Sequence, residues 1–146
     1  MKTALAIRLG LLLPLVAALW LAAARAEDGA PDPAAWQEVI SGQIEAFRQG
    51  HDAVALFYAG ALFRRAYSDP AAFVESIRVS GYAAIIDSVA HSFGGFELIS
   101  EDAVLQIVTF DGGDLHSYRA LYQLDLEDQG WRVQGVMLRE IPGVHI

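Results

Sequence analysis

Residues 103–138 read AVLQIVTF, DGGD, LHSYRALYQLDL, EDQG and WRVQGVML: three apolar-rich segments joined by two short turns of acidic, amide and glycine residues. Runs rich in β-branched and aromatic residues, bounded by turn formers, predict strands, and turns this short predict antiparallel neighbours. The pattern is a three-stranded meander. Strands of this kind need one face packed against something else, so the rest of the chain must supply a cover.

A register follows from turn length. With Gly112-Gly113 as a two-residue hairpin loop, Asp111 faces Asp114 and Thr109 faces His116; Ile107 then faces Tyr118, Leu105 faces Ala120 and Ala103 faces Tyr122. Across the second turn Leu126 faces Trp131, Leu124 faces Val133, Ala120 faces Met137 and Tyr118 faces Arg139. Side chains alternate between faces, so the expected core face is Ala103, Leu105, Ile107, Ala120, Tyr122, Leu124, Leu126, Trp131, Val133 and Met137. The other face carries Gln106, Arg119, Gln123, Asp125, Arg132 and Gln134 among apolar residues. It also holds Val104, Val108, Phe110, Leu115, Leu121, Val136 and Leu138, more apolar surface than a wetted face requires.

The cover is helical. Asp32-Pro33 pairs an N-cap residue with proline at the first helical position, and Trp36, Val39, Ile40, Gln43, Ile44 and Phe47 recur at helical spacing up to Gly50. A second helix runs over 53–59, capped by Asp52 and broken by Gly60; residues 61–67 continue as a helical turn or as extended chain. Asp69-Pro70 repeats the cap signal and starts a third helix, in which Ala72, Phe73, Ser76, Ile77 and Ser80 stack before Gly81. Residues 82–87 form a packed connection. A first strand follows from Ser88, and the paired Gly94-Gly95 inside it predicts a bulge that bends the sheet.

The first 26 residues stand apart. Met1, Lys2 and Arg8 precede an apolar run over 10–21, and Ala24-Arg25-Ala26 is a small-x-small cleavage pattern. This is a secretory leader cut before Glu27, giving a periplasmic or secreted protein. The alternative, a retained anchor, is opposed by the short run and by Pro14. Residues 27–31 are then a flexible lead-in and 32–146 a single α+β domain. Cleavage leaves seven arginines against 18 acids, a net charge of −11. Such a surface repels phosphate backbones and anionic membranes, so neither nucleic acid nor a membrane surface is an expected partner. The chain has no cysteine, which excludes disulfides, thiolate metal sites and cysteine nucleophiles.

Several stretches carry a resemblance: ISGQIEAF at 40–47, LFRRAY at 62–67, DPAAF at 69–73, Gly81-Tyr82, RALYQL at 119–124 and WRVQG at 131–135. Together they resemble a family of small, uncharacterised, exported bacterial domains within the nuclear-transport-factor-2-like, or SnoaL-like, cone-fold group. The resemblance implies three N-terminal helices packed on a curved antiparallel sheet of about four strands, with a pocket between the concave face and the helices. It also implies that such domains often pair through the sheet's outer face, so a homodimer is expected. The family pattern often has a cysteine after its last glycine; Val136 stands there. The wider fold hosts isomerases, dehydratases, hydrolases, binding proteins and adaptors, so the fold alone selects no activity.

Few residues could carry chemistry. On the register above, His116, Tyr118 and Arg139 project from one end of the core face, with Thr109 opposite His116 and the apolar block from Trp131 to Met137 beside them. Tyr118, Arg139, Thr109, Trp131 and Tyr122 are therefore the candidate ligand contacts. His116 with Tyr118, joined by His91, is the candidate acid–base set. The competing reading makes the same groups a solvated rim. Asp111 and Asp114 read as turn formers rather than paired carboxylates. No spacing of ligands suits zinc or calcium, and no motif calls for a cofactor. Arg64-Arg65 reads as a solvated pair balancing local acids rather than as an anion site. The expectation is an exported, non-catalytic module that binds a small apolar ligand or a protein partner. The alternative is a small lyase, isomerase or hydrolase using His116 and Tyr118.

Overall fold

In the computed structural model, which describes residues 29–143, the apolar stripe of the first predicted helix becomes α1 (Ala34–Gln49). Its buried face is Trp36, Ile40, Gln43, Ile44, Ala46 and Phe47, and Gly50 ends it with a left-handed φ of 72°, a conformation glycine adopts without steric cost. The leader expected over 1–26 lies outside the described residues. The chain from Pro33 onward forms one unit.

Short helices follow: α2 (Asp52–Phe57), α3 (Ala61–Ala66), α4 (Pro70–Ile77), a π-helical turn (Arg78–Tyr82) and α5 (Ala83–Ile86). The open choice over 61–67 resolves as helix, and the connection over 82–87 is mostly α5. Asp69 caps α4 through its side chain, accepting a bond from the Ala71 N–H at 3.0 Å with Pro70 in the first turn. Such a cap is worth about 1 kcal/mol.

The sheet has four antiparallel strands in sequence order: β1 (Ala90–Ser100), β2 (Ala103–Asp111), β3 (Ser117–Glu127) and β4 (Gly130–Ile141). The pairing of β1 with β2 shifts between Phe93 and Phe96, so Gly94-Gly95 is the bulge the sequence predicts. Helices on one face of a curved four-stranded antiparallel sheet is the expected α+β architecture.

The register is not the expected one. Gly112 N–H bonds to His116 C=O at 2.9 Å, so the loop between β2 and β3 has five residues rather than two. Asp111 therefore faces Ser117, and Thr109 faces Arg119. The loop forms because Asp111 and Asp114 each fold back on the backbone, accepting from Gly113 N–H at 2.9 Å and His116 N–H at 3.1 Å. Both acids are turn formers, as read. A shift of three residues moves β2 by an odd number, and an odd shift exchanges its faces. Val104, Gln106, Val108 and Phe110 are thus the buried face of β2. Ala103, Leu105 and Ile107, expected in the core, lie on the other side.

A second correction concerns β4. Leu126 faces Trp131 and Leu124 faces Val133 as expected, but the pairing slips between Gln123 and Leu124, leaving Gln134 as an extra residue. Ala120 then faces Leu138 and Tyr118 faces Glu140, not Met137 and Arg139. The cause is tertiary. Residues 58–60 run along the edge of β4, with Val133 N–H bonded to Tyr58 C=O at 2.9 Å and Gly60 N–H to Val133 C=O at 2.8 Å. Gln134 is displaced against Gly60, where a Cβ would collide with its Oε1. Val136 and Leu138 consequently pack on the core, while Met137 is 60% exposed.

Candidate functional site

The helices do not fill the space over the concave face. A cavity of about 310 Å³ lies between α1, α3, α4, the π-helical turn and the middle of β3 and β4. Its wall is largely apolar: Phe47, Phe63, Phe73, Ile77, Ile85, Val133 and Val136, joined by the rings of Tyr67, Tyr82 and Tyr122. Phe73 organises it, with Phe47, Phe63 and Tyr67 within 6.3 Å between ring centroids. No charged side chain lines it. The polar atoms are few. Gln43 donates to Ala55 C=O at 3.0 Å and Ser76 to Phe73 C=O at 2.6 Å. The hydroxyls of Ser80, Tyr67, Tyr82 and Tyr122 make no hydrogen bond within the described residues.

Tyr122 is the distinctive member. Only 1% of it is exposed, and burial pushes its phenol well above the ordinary tyrosine range against a smaller opposing pull from Arg48. The hydroxyl therefore stays protonated and can both donate and accept. Among the described residues the fully enclosed side-chain polar atom left without a partner is Arg132 Nε; the Tyr122 hydroxyl makes no hydrogen bond but is not sealed in.

The other ligand-contact candidates are dispersed. Trp131 is buried in the core edge-to-face with Trp36, 5.4 Å between centroids. Thr109 and Arg139 sit on the outer face, because the two register shifts turned their positions over. Tyr118 stays on the inner face, half-buried against the core near the end of the sheet. His116 is in the exposed loop, its Nδ1 against Glu140 Oε1. That bond, with the charges of Asp114 and Glu140, raises the imidazole pKa. None of these five lines the cavity; Tyr122 does.

His91 lies elsewhere again, half-buried under α1. Its Nε2 is 2.9 Å from Ser41 Oγ, and its Nδ1 is 3.2 Å from Arg48 Nη2. The pairing resembles a serine–histidine dyad, but its polarity is reversed. A guanidinium only donates, so Nδ1 is the acceptor, the ring proton is on Nε2, and His91 donates to Ser41. A nucleophile-activating histidine must instead accept the hydroxyl proton. Burial, followed by Arg48, holds the His91 pKa low, with Glu45 opposing, which keeps the ring in this neutral form. Arg48 also donates to Ser88 Oγ at 3.0 Å. The group ties α1 to the start of β1.

Reading from sequence missed Phe47, Phe63, Phe73, Ile77, Ser80 and Tyr82 as lining residues. A signal was present in the helical stripe of Phe73, Ser76, Ile77 and Ser80, where hydroxyls stand in line with apolar side chains. Arg64 balances a local acid, as expected, but is only partly solvated: it bonds Glu127 at 2.9 Å, and Glu127 also accepts from Ala61 N–H at 3.1 Å and from Gln134 at 2.9 Å. Among the described residues no cluster of three or more metal-ligating side chains occurs, and no helix is long and apolar enough to cross a membrane.

No curated protein matches the chain. Among solved structures it is similar to an NTF-2-like protein of unknown function from Silicibacter pomeroyi DSS-3. The identity is 14%, covering 74% of this chain and 94% of that one, with a TM-score of 0.49. The family model of a domain of unknown function, DUF4864, matches residues 29–146, and the chain belongs to that family.

Proposed function

We propose that the protein is an exported, non-catalytic binding module whose cavity takes a small, uncharged, largely apolar molecule bearing one carbonyl or hydroxyl group. The observation that carries this reading is a largely apolar cavity of about 310 Å³ lined by Tyr122, whose hydroxyl makes no hydrogen bond among the described residues. Pockets for small molecules are mostly apolar, with a few polar groups that fix orientation, and this volume is near the lower end of their range. A ligand carbonyl would accept from Tyr122. A charged ligand would enter a wall without counter-charge, which costs several kcal/mol. Export is supported by the leader pattern over 1–26. The lyase, isomerase or hydrolase alternative rests on His116 and Tyr118, neither of which lines the cavity, and no observation favours it.

The test is expression of the full chain with its leader in a Gram-negative host, fractionation, and native mass spectrometry of the purified protein. The expected result is a chain beginning at Glu27 that carries a neutral adduct lost on denaturation. Protein that is consistently empty and binds no neutral aromatic probe would sink the ligand reading. Retention in the cytoplasm with the leader intact would sink export.

A further inference from the structure

Across the outer face of the sheet the register lines up Ser92, Thr109, Arg119 and Arg139, one residue from each strand. None of these four side chains has a hydrogen bond or ion pair among the described residues. The other described arginines, Arg48, Arg64, Arg65, Arg78 and Arg132, each engage a hydroxyl, carboxylate, carbonyl or aromatic ring. Arg119 and Arg139 are exposed and stand directly opposite each other, an arrangement of like charges that destabilises a sheet. Two hydroxyls and two guanidinium groups thus make one row of donors, about 14 Å long at the usual strand spacing. Thr109 and Arg139, expected at the concave pocket, come together here instead.

The next row on the same face, about 7 Å along the strands, is apolar. It consists of Ile107, Leu121 and Met137, which line a groove of about 490 Å³ together with Arg119 and Arg139. Two acids are near. Asp111 flanks the donor row on its other side and accepts from Gly113 N–H. Glu140, also beside the groove, is engaged by His116.

We propose that this groove binds a free long-chain carboxylate, with its head on Arg119 and Arg139 and its alkyl chain over Ile107, Leu121 and Met137. Guanidinium groups hold a carboxylate through paired, charge-assisted hydrogen bonds, and the Thr109 hydroxyl next to Arg119 offers a further donor. The adjoining apolar row gives the chain a surface on which to leave water. A single negative charge fits best, because Asp111 and Glu140 offset part of the arginine pair. A polyanionic membrane surface would instead meet a chain whose 18 acids outnumber its 10 bases. The proposal is independent of the cavity, whose wall has no charged side chain to receive a carboxylate.

Isothermal titration of the purified protein with sodium dodecanoate, kept below its micellar concentration, tests it. One site is expected. Arg119→Gln and Arg139→Gln should each weaken binding about tenfold or more, without lowering the unfolding midpoint, since each removes a like-charge contact. Met137→Glu, at an exposed position, should weaken binding similarly. Dodecanol, with the same chain and a neutral head, should bind about tenfold more weakly than dodecanoate. Absence of dodecanoate binding would overturn the proposal, as would binding that both arginine variants leave unchanged or dodecanol binding as tightly as dodecanoate. So would arginine variants that lose binding together with thermal stability, which would assign the pair to the fold. Flotation with phosphatidylglycerol vesicles but no uptake of free dodecanoate would overturn it in favour of a membrane contact.

Discussion

Gln106 and Tyr122 face each other directly across β2 and β3, and both are buried, at 0% and 1% exposure. Their polar atoms are treated in opposite ways. The Gln106 carbonyl accepts from Trp36 Nε1 at 2.9 Å and Gln37 Nε2 at 3.2 Å. Its amide donates to Gly94 C=O at 2.9 Å, Gly95 C=O at 3.3 Å and Ile107 C=O at 2.9 Å. One side chain thereby joins α1, the β1 bulge and β2, and satisfies carbonyls that the bulge releases from the ladder. The Tyr122 hydroxyl, one strand away, has no such partner and ends at a cavity. A saturated buried polar group is part of the scaffold. The Tyr122 hydroxyl, with no bond among the described residues, ties no element to another.

The largest expected effect comes from breaking the saturated member. Gln106→Leu keeps much of the volume but leaves the Trp36 indole N–H and the glycine carbonyls buried and unpaired, so a loss of about 2–4 kcal/mol is expected in urea denaturation. A loss below about 1 kcal/mol would mean that the network contributes little. Glu127 offers a second, partly solvated saturated site. Burial alone would raise its pKa, but bonds from Gln134, Ala61 N–H and Arg64 outweigh that, and the net direction is downward. With the folded value depressed, its stabilisation is complete above the unfolded carboxylate pKa and is lost as pH falls through the folded value. Glu127→Ala should cost about 1–2 kcal/mol at pH 7, and the difference from wild type should shrink on acidification, as denaturation at pH 7 and pH 3 would show. The smallest effect on stability is expected at the unsaturated member. Tyr122→Phe should change unfolding free energy by no more than about 1 kcal/mol in either direction, because no bond inside the protein is lost. Calorimetry should nevertheless show affinity for a carbonyl-bearing ligand falling about five- to tenfold. A stability loss as large as that of Gln106→Leu would end the contrast.

The contrast also locates what could be read in advance. The capping of α4 by Asp69, the stop of α1 at Gly50 and the bulge at Gly94-Gly95 are local matters, and local residue chemistry announces them. The face of β2 is not local. It turns on whether Gly112-Gly113 is the whole loop or part of a five-residue one, and the two choices differ by the folding of Asp111 and Asp114 onto nearby N–H groups. Both give plausible sheets, because β2 alternates apolar residues on both sides: Ala103, Leu105 and Ile107 on one, Val104, Val108 and Phe110 on the other. Hydrophobicity could not choose between them. Gln106 is the residue whose burial looks least plausible from sequence, and its partners come from α1 and β1, up to 70 residues away. Tyr122 kept its face through the register change because the shift exchanged β2 while the inner residues of β3 stayed inner.

The sequence by itself determined the sorting of helices from strands, the Asp69 cap and the bulge, the absence of thiol chemistry and the acidic balance, since each depends on residue type and short-range spacing. Tertiary structure decided which side of β2 is buried, the extra residue at Gln134 and the chemical surroundings of each polar side chain. Those outcomes depend on contacts between distant segments: residues 58–60 on the edge of β4, and Trp36 over Gln106. No short window contains both halves of such a contact, and only the folded chain brings them within bonding distance.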